Sequence, residues 1–366
     1  MNAVYALMRH AQRSQTFVDL EMAELRRRGV GVTVVSNERG EDVRGDTVYV
    51  SAAPNALGAH AAWLARHPVR YARFLGLVWA LRSEMGRRSE QVRWWRLPGV
   101  ARSLDADVVH THFGWSGAAT AALLGALLGV PWSVTLHAND IFGKPRNLRA
   151  KVRRADLVVT VCEYNRRLLG APAEVITCGV EVPPRVAREP DVDVVTVARL
   201  VPKKGVDTLV AAMAALPDAT CEVVGDGPLL DALKESAPPN VTFRGSLPHG
   251  EALERIAAAR VFALPCRIAP DGDRDAMPTV LIEAMMRGVP VVSTNVVGIP
   301  EMVDAEVGRL VEPDDPDALA AALREVLADP ALARRLGEAG ARRARERYSL
   351  EGQAGRLLGE LEALCR

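Results

Sequence analysis

Short β-branched runs alternate with helical segments along this chain, and the alternation starts twice. In the first half, apolar runs at 3–8, 32–36, 108–111, 132–136 and 157–161 are separated by helical stretches, among them 15–28 and 115–128. The pattern restarts with runs near 192–198, 221–225, 241–244, 261–264, 289–293 and 308–311. Continuous apolar strands followed by helices are what a parallel sheet buried on both faces requires. Between the two series, EVPPRVAREPD at 181–191 combines prolines with mixed charge and reads as a linker. A chain of 366 residues is also too long for one ordinary core. The expectation is an α/β protein with parallel sheets in two domains facing across a cleft, over 1–185 and 186–345. A helical tail rich in Ala, Leu and Arg follows, its last part at 346–366 returning to the first domain.

Bulk properties exclude several classes. A net charge of +1 argues against nucleic acid as the main partner, because duplex binding needs a basic excess. Cys162, Cys178, Cys221, Cys266 and Cys365 lack the spacing of a zinc site or a disulfide framework, which suits a reducing cytoplasm. The first residues lack the basic start and long apolar run of a signal peptide, and no stretch of about 18 apolar residues is present. One region departs from the average. Nine arginines against Glu84 and Glu90 lie between 66 and 102, interleaved with Phe74, Trp79, Trp94 and Trp95. Such a region can lie on an anionic membrane, line an acceptor site, or be an amphipathic helix pair with a solvated arginine face.

Chemistry concentrates at strand exits of the second half. In VVTVARLVPKKG (194–205), Arg199 leaves an apolar strand and Lys204 precedes a helix. A planar fork of donors, a point charge and a glycine beside a helix N-terminus suit a diphosphate, although two solvated loop cations would read the same. Gly225-Asp226-Gly227-Pro228 follows the next strand and permits a tight turn. The loop 266–277 carries Asp271, Asp273 and Asp275, with Pro278 at a helix start. Glu283 sits in the otherwise apolar helix PTVLIEAMMRG and needs a partner, either a ribose cis-diol or a nearby arginine. Cations for a diphosphate with an acid for a ribose specify a nucleotide.

The order RLVPKKG, GDGP, FRGSLP, DAMPTVLIEAMMRGVPVV and VGIPEMV resembles retaining glycosyltransferases of family 4, which have the GT-B fold of two Rossmann-like domains. The resemblance covers nearly the whole chain and is similar, in particular, to exopolysaccharide and natural-product enzymes. It implies that Arg199 and Lys204 hold the donor diphosphate and stabilise the departing nucleotide, and that Glu283 takes the ribose hydroxyls. Gly225, Thr279 and the backbone around Arg244 would complete the nucleotide site. Asp275 stands where the family usually has glutamate and would hold the donor sugar, with Ala276 and Met277 beside it. HTHFGWSG (110–117) and LHANDIF (136–142) match as well, and His137 would lie near the transferred sugar with a catalytic role. Thr16 replaces a Gly-Gly pair common in the first loop and offers a hydroxyl.

From the resemblance follow a first domain for the acceptor, a second for the nucleotide sugar, and transfer of a hexose or N-acetylhexosamine from a UDP-sugar to a saccharide, lipid-linked or natural-product hydroxyl. UDP-glucose, UDP-N-acetylglucosamine and GDP-mannose all remain open as donors. No metal is expected, because cations and a helix terminus can take its place, and Asp271-Gly272-Asp273 lies outside the usual metal-binding context of a DxD motif. The expected location is cytoplasmic, with peripheral contact at the inner face of the membrane through 66–102. A nucleotide-sugar 2-epimerase and a degenerate sugar-nucleotide-binding protein are the alternatives.

Overall fold

A computed structural model describes the chain except residues 11–14, 43, 54–56, 83–92, 144–147 and 182–188. Ser14, the basic residues Arg87 and Arg88, their neighbours Glu84 and Glu90, and most of the linker read at 181–191 lie outside the described residues. Two compact units make up the rest: Met1–Val161 with Arg166–Ile176 and Gln353–Arg366, and Cys162–Asn165 with Thr177–Gly352. The division therefore falls between Ile176 and Thr177, ahead of the proline-rich stretch, and the first unit takes back residues from 353 onward.

The first unit holds a seven-stranded parallel sheet. Its strands are β1 (Asn2–His10), β2 (Gly31–Arg39), β3 (Thr47–Tyr49), β4 (Val108–His112), β5 (Trp132–Leu136), β6 (Leu157–Thr160) and β7 (Glu174–Val175). Their spatial order is β3-β2-β1-β4-β5-β6-β7. Both faces are buried, as the uninterrupted apolar runs require. Along β1, Val4 and Ala6 enter one core with Phe74, Leu123 and Trp132, while Ala3, Tyr5 and Leu7 enter the other with Leu25, Leu357 and Leu361. The helix Ser116–Leu128 is buried almost all round, which its Ala, Gly and Leu composition allows.

The second unit repeats the plan with β8 (Val192–Val197), β9 (Cys221–Val224), β10 (Val241–Gly245), β11 (Ala259–Leu264), β12 (Val291–Thr294) and β13 (Gly308–Val311). They form one parallel sheet in the order β10-β9-β8-β11-β12-β13. Val194 and Val195 again face opposite cores. Helices Pro316–Ala328 and Pro330–Tyr348 each begin with proline after an aspartate whose carboxylate accepts backbone N–H groups: Asp315 from Ala318, Asp329 from Ala331 and Leu332. The two parallel α/β domains expected from the alternating pattern are thus present. In each sheet the strand order reverses once, at β1/β4 and at β8/β11, and the carboxyl ends of such strand pairs are where open α/β sheets bind ligands.

Candidate functional sites in each unit

In the second unit the conspicuous cations stand at the switch point. Beyond β8 come Arg199 and a 3-10 turn at Pro202–Lys204; beyond β11 comes the loop from 265 to 278. The two loops are stitched together, with the Arg267 amide donating to the Lys203 carbonyl at 2.9 Å. Gly205, at φ 63°, lies so near Pro265 that a Cβ would fall 1.8 Å from its carbonyl oxygen. Only glycine fits there.

Across this junction the Lys204 ammonium contacts Asp275 Oδ2, and Lys203 Nζ lies 3.2 Å from Asp275 Oδ1 and 3.1 Å from Asp273 Oδ1. Burial works against the Lys204 charge, but Asp275 outweighs it and lifts the ammonium above its ordinary value. Burial likewise opposes the Asp275 carboxylate, yet Lys204 and then Lys203 hold it below the usual range. Arg199 is exposed, and its guanidinium forms no ion pair with the described residues. Asp275 therefore meets the two lysines directly. The family role of holding sugar hydroxyls would require it to share that carboxylate.

The other nucleotide candidates lie on further strands, loops and helices of the second unit. Gly225 ends β9 at φ 142°, where a Cβ would lie 1.8 Å from the Ala198 carbonyl oxygen at the β8 exit. Thr279 opens the helix Thr279–Met286, which no side chain caps. Ala276 accepts the Gly298 amide at 3.1 Å, and Met277 is half-buried beside it. Glu283 has a histidine where an arginine was the protein partner weighed: His249 Nε2 stands 3.3 Å from Oε1, and that hydrogen bond raises the imidazole above its ordinary value. Arg244 lies on the edge strand β10 with its guanidinium committed to Glu222, which also accepts from Arg255 at 2.8 Å. Asp271 accepts the Asp273 amide at 3.0 Å, so the two acids of the DxD look-alike serve the loop itself and Lys203.

The first unit carries a second cluster at the ends of β4 and β5. His137 leaves β5 as the N-cap of Ala138–Phe142; its ring accepts the Asp140 amide, while the Asp140 carboxylate accepts the His137 and Gly114 amides, both at 2.8 Å. His112 Nδ1 lies 3.1 Å from His137 Nε2, and His112 Nε2 lies 2.9 Å from Glu21 Oε1, which also accepts the Tyr5 hydroxyl at 2.7 Å. Phe17 and Phe113 flank the His137 ring, with centroids 5.1 and 4.5 Å away. Phe113 holds φ 69°, a left-handed conformation uncommon for an aromatic residue. Thr16 is exposed at the start of the helix Thr16–Arg27.

Electrostatics in this cluster follow burial. Desolvation opposes the Glu21 charge, but His112 and the Tyr5 hydroxyl bring its carboxyl down to about 2. Burial drives His110 down to about 3 and, aided by His112, His137 well below its ordinary value. Asp140 is pushed up to about 7 by burial, in spite of its two backbone donors. Ligand atoms of Glu21, His110 and His112 lie within 4.8 Å of one another, a spacing a metal ion could use. Each is already engaged, Glu21 and His112 with one another at 2.9 Å and His110 with Ser133 Oγ at 2.7 Å and Thr135 Oγ1 at 3.3 Å.

With both clusters at parallel-strand carboxyl ends, the family models agree in register. One described as glycosyltransferase family 4 matches residues 14–182, and one described as glycosyl transferases group 1 matches 182–343. The chain belongs to the group 1 glycosyltransferases of family 4.

This glycosyltransferase-family chain is 37% identical over 175 residues to a GDP-mannose-dependent alpha-(1-6)-phosphatidylinositol monomannoside mannosyltransferase of Mycolicibacterium smegmatis, covering 45% of the chain and 46% of the relative. It thus spans about half the length of that curated relative. It is 32% identical over 250 residues to the putative colanic acid biosynthesis glycosyltransferase WcaL of Escherichia coli, covering 60% and 61%. Among solved structures it is similar to sucrose-phosphate synthase from Thermosynechococcus elongatus (TM-score 0.72, 22% identity, 99% of both chains). Anabaena HepE in complex with UDP-glucose gives a TM-score of 0.70 at 17% identity, covering 99% of this chain and all of that one. The architecture is GT-B: two Rossmann-like parallel-sheet domains.

Of the residues named from the sequence, Arg199, Lys204, Asp275, Gly225 and Thr279 lie in the second unit, and His137 is buried in the first. The sequence reading did not single out Lys203, nor His249, which is 34 positions from Glu283 and carries no local signal. It also missed Glu21 and His112. The HTHFGWSG match contained His112, and only its side-chain direction was lacking. The basic stretch divides on inspection: Phe74 and Trp94 are core residues, whereas Trp79 and Trp95 are exposed. Among the described residues no helix is long and apolar enough to cross a membrane.

Proposed function

We propose that this family 4 member is a retaining glycosyltransferase that moves a hexose or N-acetylhexosamine from a nucleotide-diphosphate donor to an acceptor hydroxyl. The observation that carries the reading is the junction of Lys203 and Lys204 with Asp275 at the β8/β11 switch point, with Arg199 exposed at the β8 exit. A donor diphosphate would face two lysines and a free guanidinium, and the sugar would lie towards Asp275. As the sugar–phosphate bond breaks, charge grows on the diphosphate, and these cations stabilise it more in the transition state than in the ground state. Retention follows if the acceptor enters on the face the nucleotide leaves. The cations also take the place of a metal, and undiminished turnover in EDTA is the expected result.

Glu283 takes the ribose hydroxyls in this reading. Glu283→Gln is expected to raise the donor KM about tenfold with a smaller change in kcat, since a ribose contact is made equally in ground and transition states. Steady-state kinetics against donor concentration checks it.

A UDP-sugar is the donor favoured here, in keeping with the UDP-glucose bound to HepE. GDP-mannose is the second reading, supported by the mannosyltransferase relatives. The acceptor, a saccharide, a lipid-linked saccharide or a natural product, belongs to the first unit. Arg66, Arg70 and Arg102, exposed with Trp79 and Trp95, suit a peripheral contact at the inner face of the membrane, which fits a cytoplasmic enzyme. A thermal-shift screen over UDP-glucose, UDP-N-acetylglucosamine and GDP-mannose, followed by product analysis, tests the proposal. Conversion of donor alone to an epimer, or tight donor binding with no turnover under any acceptor, would overturn it.

A further inference from the structure

Among the described residues, the hydrogen bonds behind His137 fit one proton arrangement. It can be derived from the helix cap. The His137 ring accepts the Asp140 backbone N–H, and since Nε2 faces His112, the accepting atom is Nδ1. An imidazole must carry at least one proton, so Nε2 of His137 carries it and donates to His112 Nδ1. His112 then has its own proton on Nε2, directed at Glu21 Oε1, and the Tyr5 hydroxyl donates to the same carboxylate. Every link in the chain is buried or nearly so.

From this geometry we infer that Glu21 and His112 are positioning residues that lock His137 as the neutral Nε2–H tautomer, with both ring nitrogens occupied. His137 then presents a fixed ring, held between Phe17 and Phe113, and neither gives nor takes a proton during sugar transfer. The inference rests on the reading of His137 as a donor-sugar residue and assigns how it acts there: by its place, not by acid–base chemistry. It fits a reaction whose barrier is lowered at the leaving group.

The groups facing His137 are consistent with it. From β4 come His112 and His110, from the helix Thr16–Arg27 Glu21 and Phe17, from β1 Tyr5, and from its own helix Asp140. Lys151, on the helix Leu148–Val152, turns its ammonium to the Gly114 carbonyl beside Asp140. The one carboxylate on the His112 side can only accept hydrogen bonds once ionised, which fixes the direction of the whole chain from that end too.

The test uses the full chain labelled with 15N-histidine, with two-bond proton–nitrogen correlations recorded between about pH 5 and 8. His137 is assigned through loss of its signals in His137→Asn. The expected result is a protonated Nε2 and an unprotonated Nδ1 at every pH. An Nδ1–H tautomer, or a titration midpoint inside that window, would overturn the proposal. Glu21→Gln, after its fold is checked by circular dichroism, is expected to let His137 titrate or change tautomer and to lower kcat roughly tenfold with donor KM within about twofold. Unchanged tautomer and kcat in that variant would also sink it. The wild-type spectrum decides even if Glu21→Gln fails to fold. It also decides if no donor is turned over, which would count against the proposed activity alone.

Discussion

Arg199→Ala is expected to lower kcat about 100-fold or more while leaving the fold intact. The side chain is exposed and forms no ion pair with the described residues, so its removal exposes no buried partner. In the proposed reaction its value lies in charge that appears only as the nucleotide departs, which places the expected loss in kcat more than in KM. Lys204→Ala should cost a similar factor with one difference. It also strips Asp275 of its nearest cation, leaving the carboxylate beside Lys203 alone. The lysine variant should therefore lose some thermal stability as well, whereas the arginine variant should not. Single-turnover rates and thermal midpoints on both proteins separate the two effects. A folded Arg199→Ala enzyme with wild-type turnover would remove the leaving-group assignment.

The second large effect concerns acid stability of the first unit. Asp140 sits at about 7 in the folded chain against an ordinary 3.8, because burial disfavours its charge. The folded state binds this proton more tightly than the unfolded state. Its contribution to stability consequently rises as pH falls from about 7 to 3.8, by up to about 4 kcal/mol at ~1.4 kcal/mol per unit. His110 works the other way. Its imidazole, held neutral down to about 3 against an ordinary 6.5, costs stability as the unfolded state takes up a proton below 6.5. These two terms are of similar size and nearly cancel, and His137 adds to the loss. Asp140→Asn removes the favourable half. Urea unfolding at pH 7 and pH 4 should show the variant losing about 3 kcal/mol more than the wild type between those conditions. Equal losses in the two proteins would show that Asp140 is ionised in the folded state.

How much of this was legible in the sequence depended on distance along the chain. Strands at 132–136 and 308–311 were recoverable to the residue, because each is a short stretch with β-branched or other apolar residues inside the repeating strand–helix pattern. β3 and β7, of three and two residues, were missed. Thr47–Tyr49 and Glu174–Val175 are too short to show a period, and only their neighbours make them strands. The same rule held at the site. Arg199, Lys204 and Gly205 fall in one local stretch with a physical rationale, and Asp275 and Glu283 in another. Asp275 as the partner of Lys204, His249 as the partner of Glu283 and Glu21 as the anchor of His112 are contacts over long sequence separations. Residue type allows many partners there, and only the fold selects one. Phe74 and Trp94 illustrate the converse: aromatic residues among arginines suggested a surface, yet two of the four belong to the core.

The helix Leu350–Leu364 carries a consequence for how such chains can be divided and recombined. From Gln353 onward it belongs to the first unit, where Leu357 and Leu361 are fully buried in the core that contains Tyr5 and Leu25. The first unit is therefore assembled from separated segments of the chain, with most of the second unit lying between them. A fragment cut after Ile176 would carry an open hydrophobic seam and would be expected to aggregate rather than fold. Chimaeras that exchange the first unit between relatives must accordingly transplant separated segments. Joining the first 176 residues of one parent to the remainder of another would ask a foreign helix to fill a core it did not evolve with.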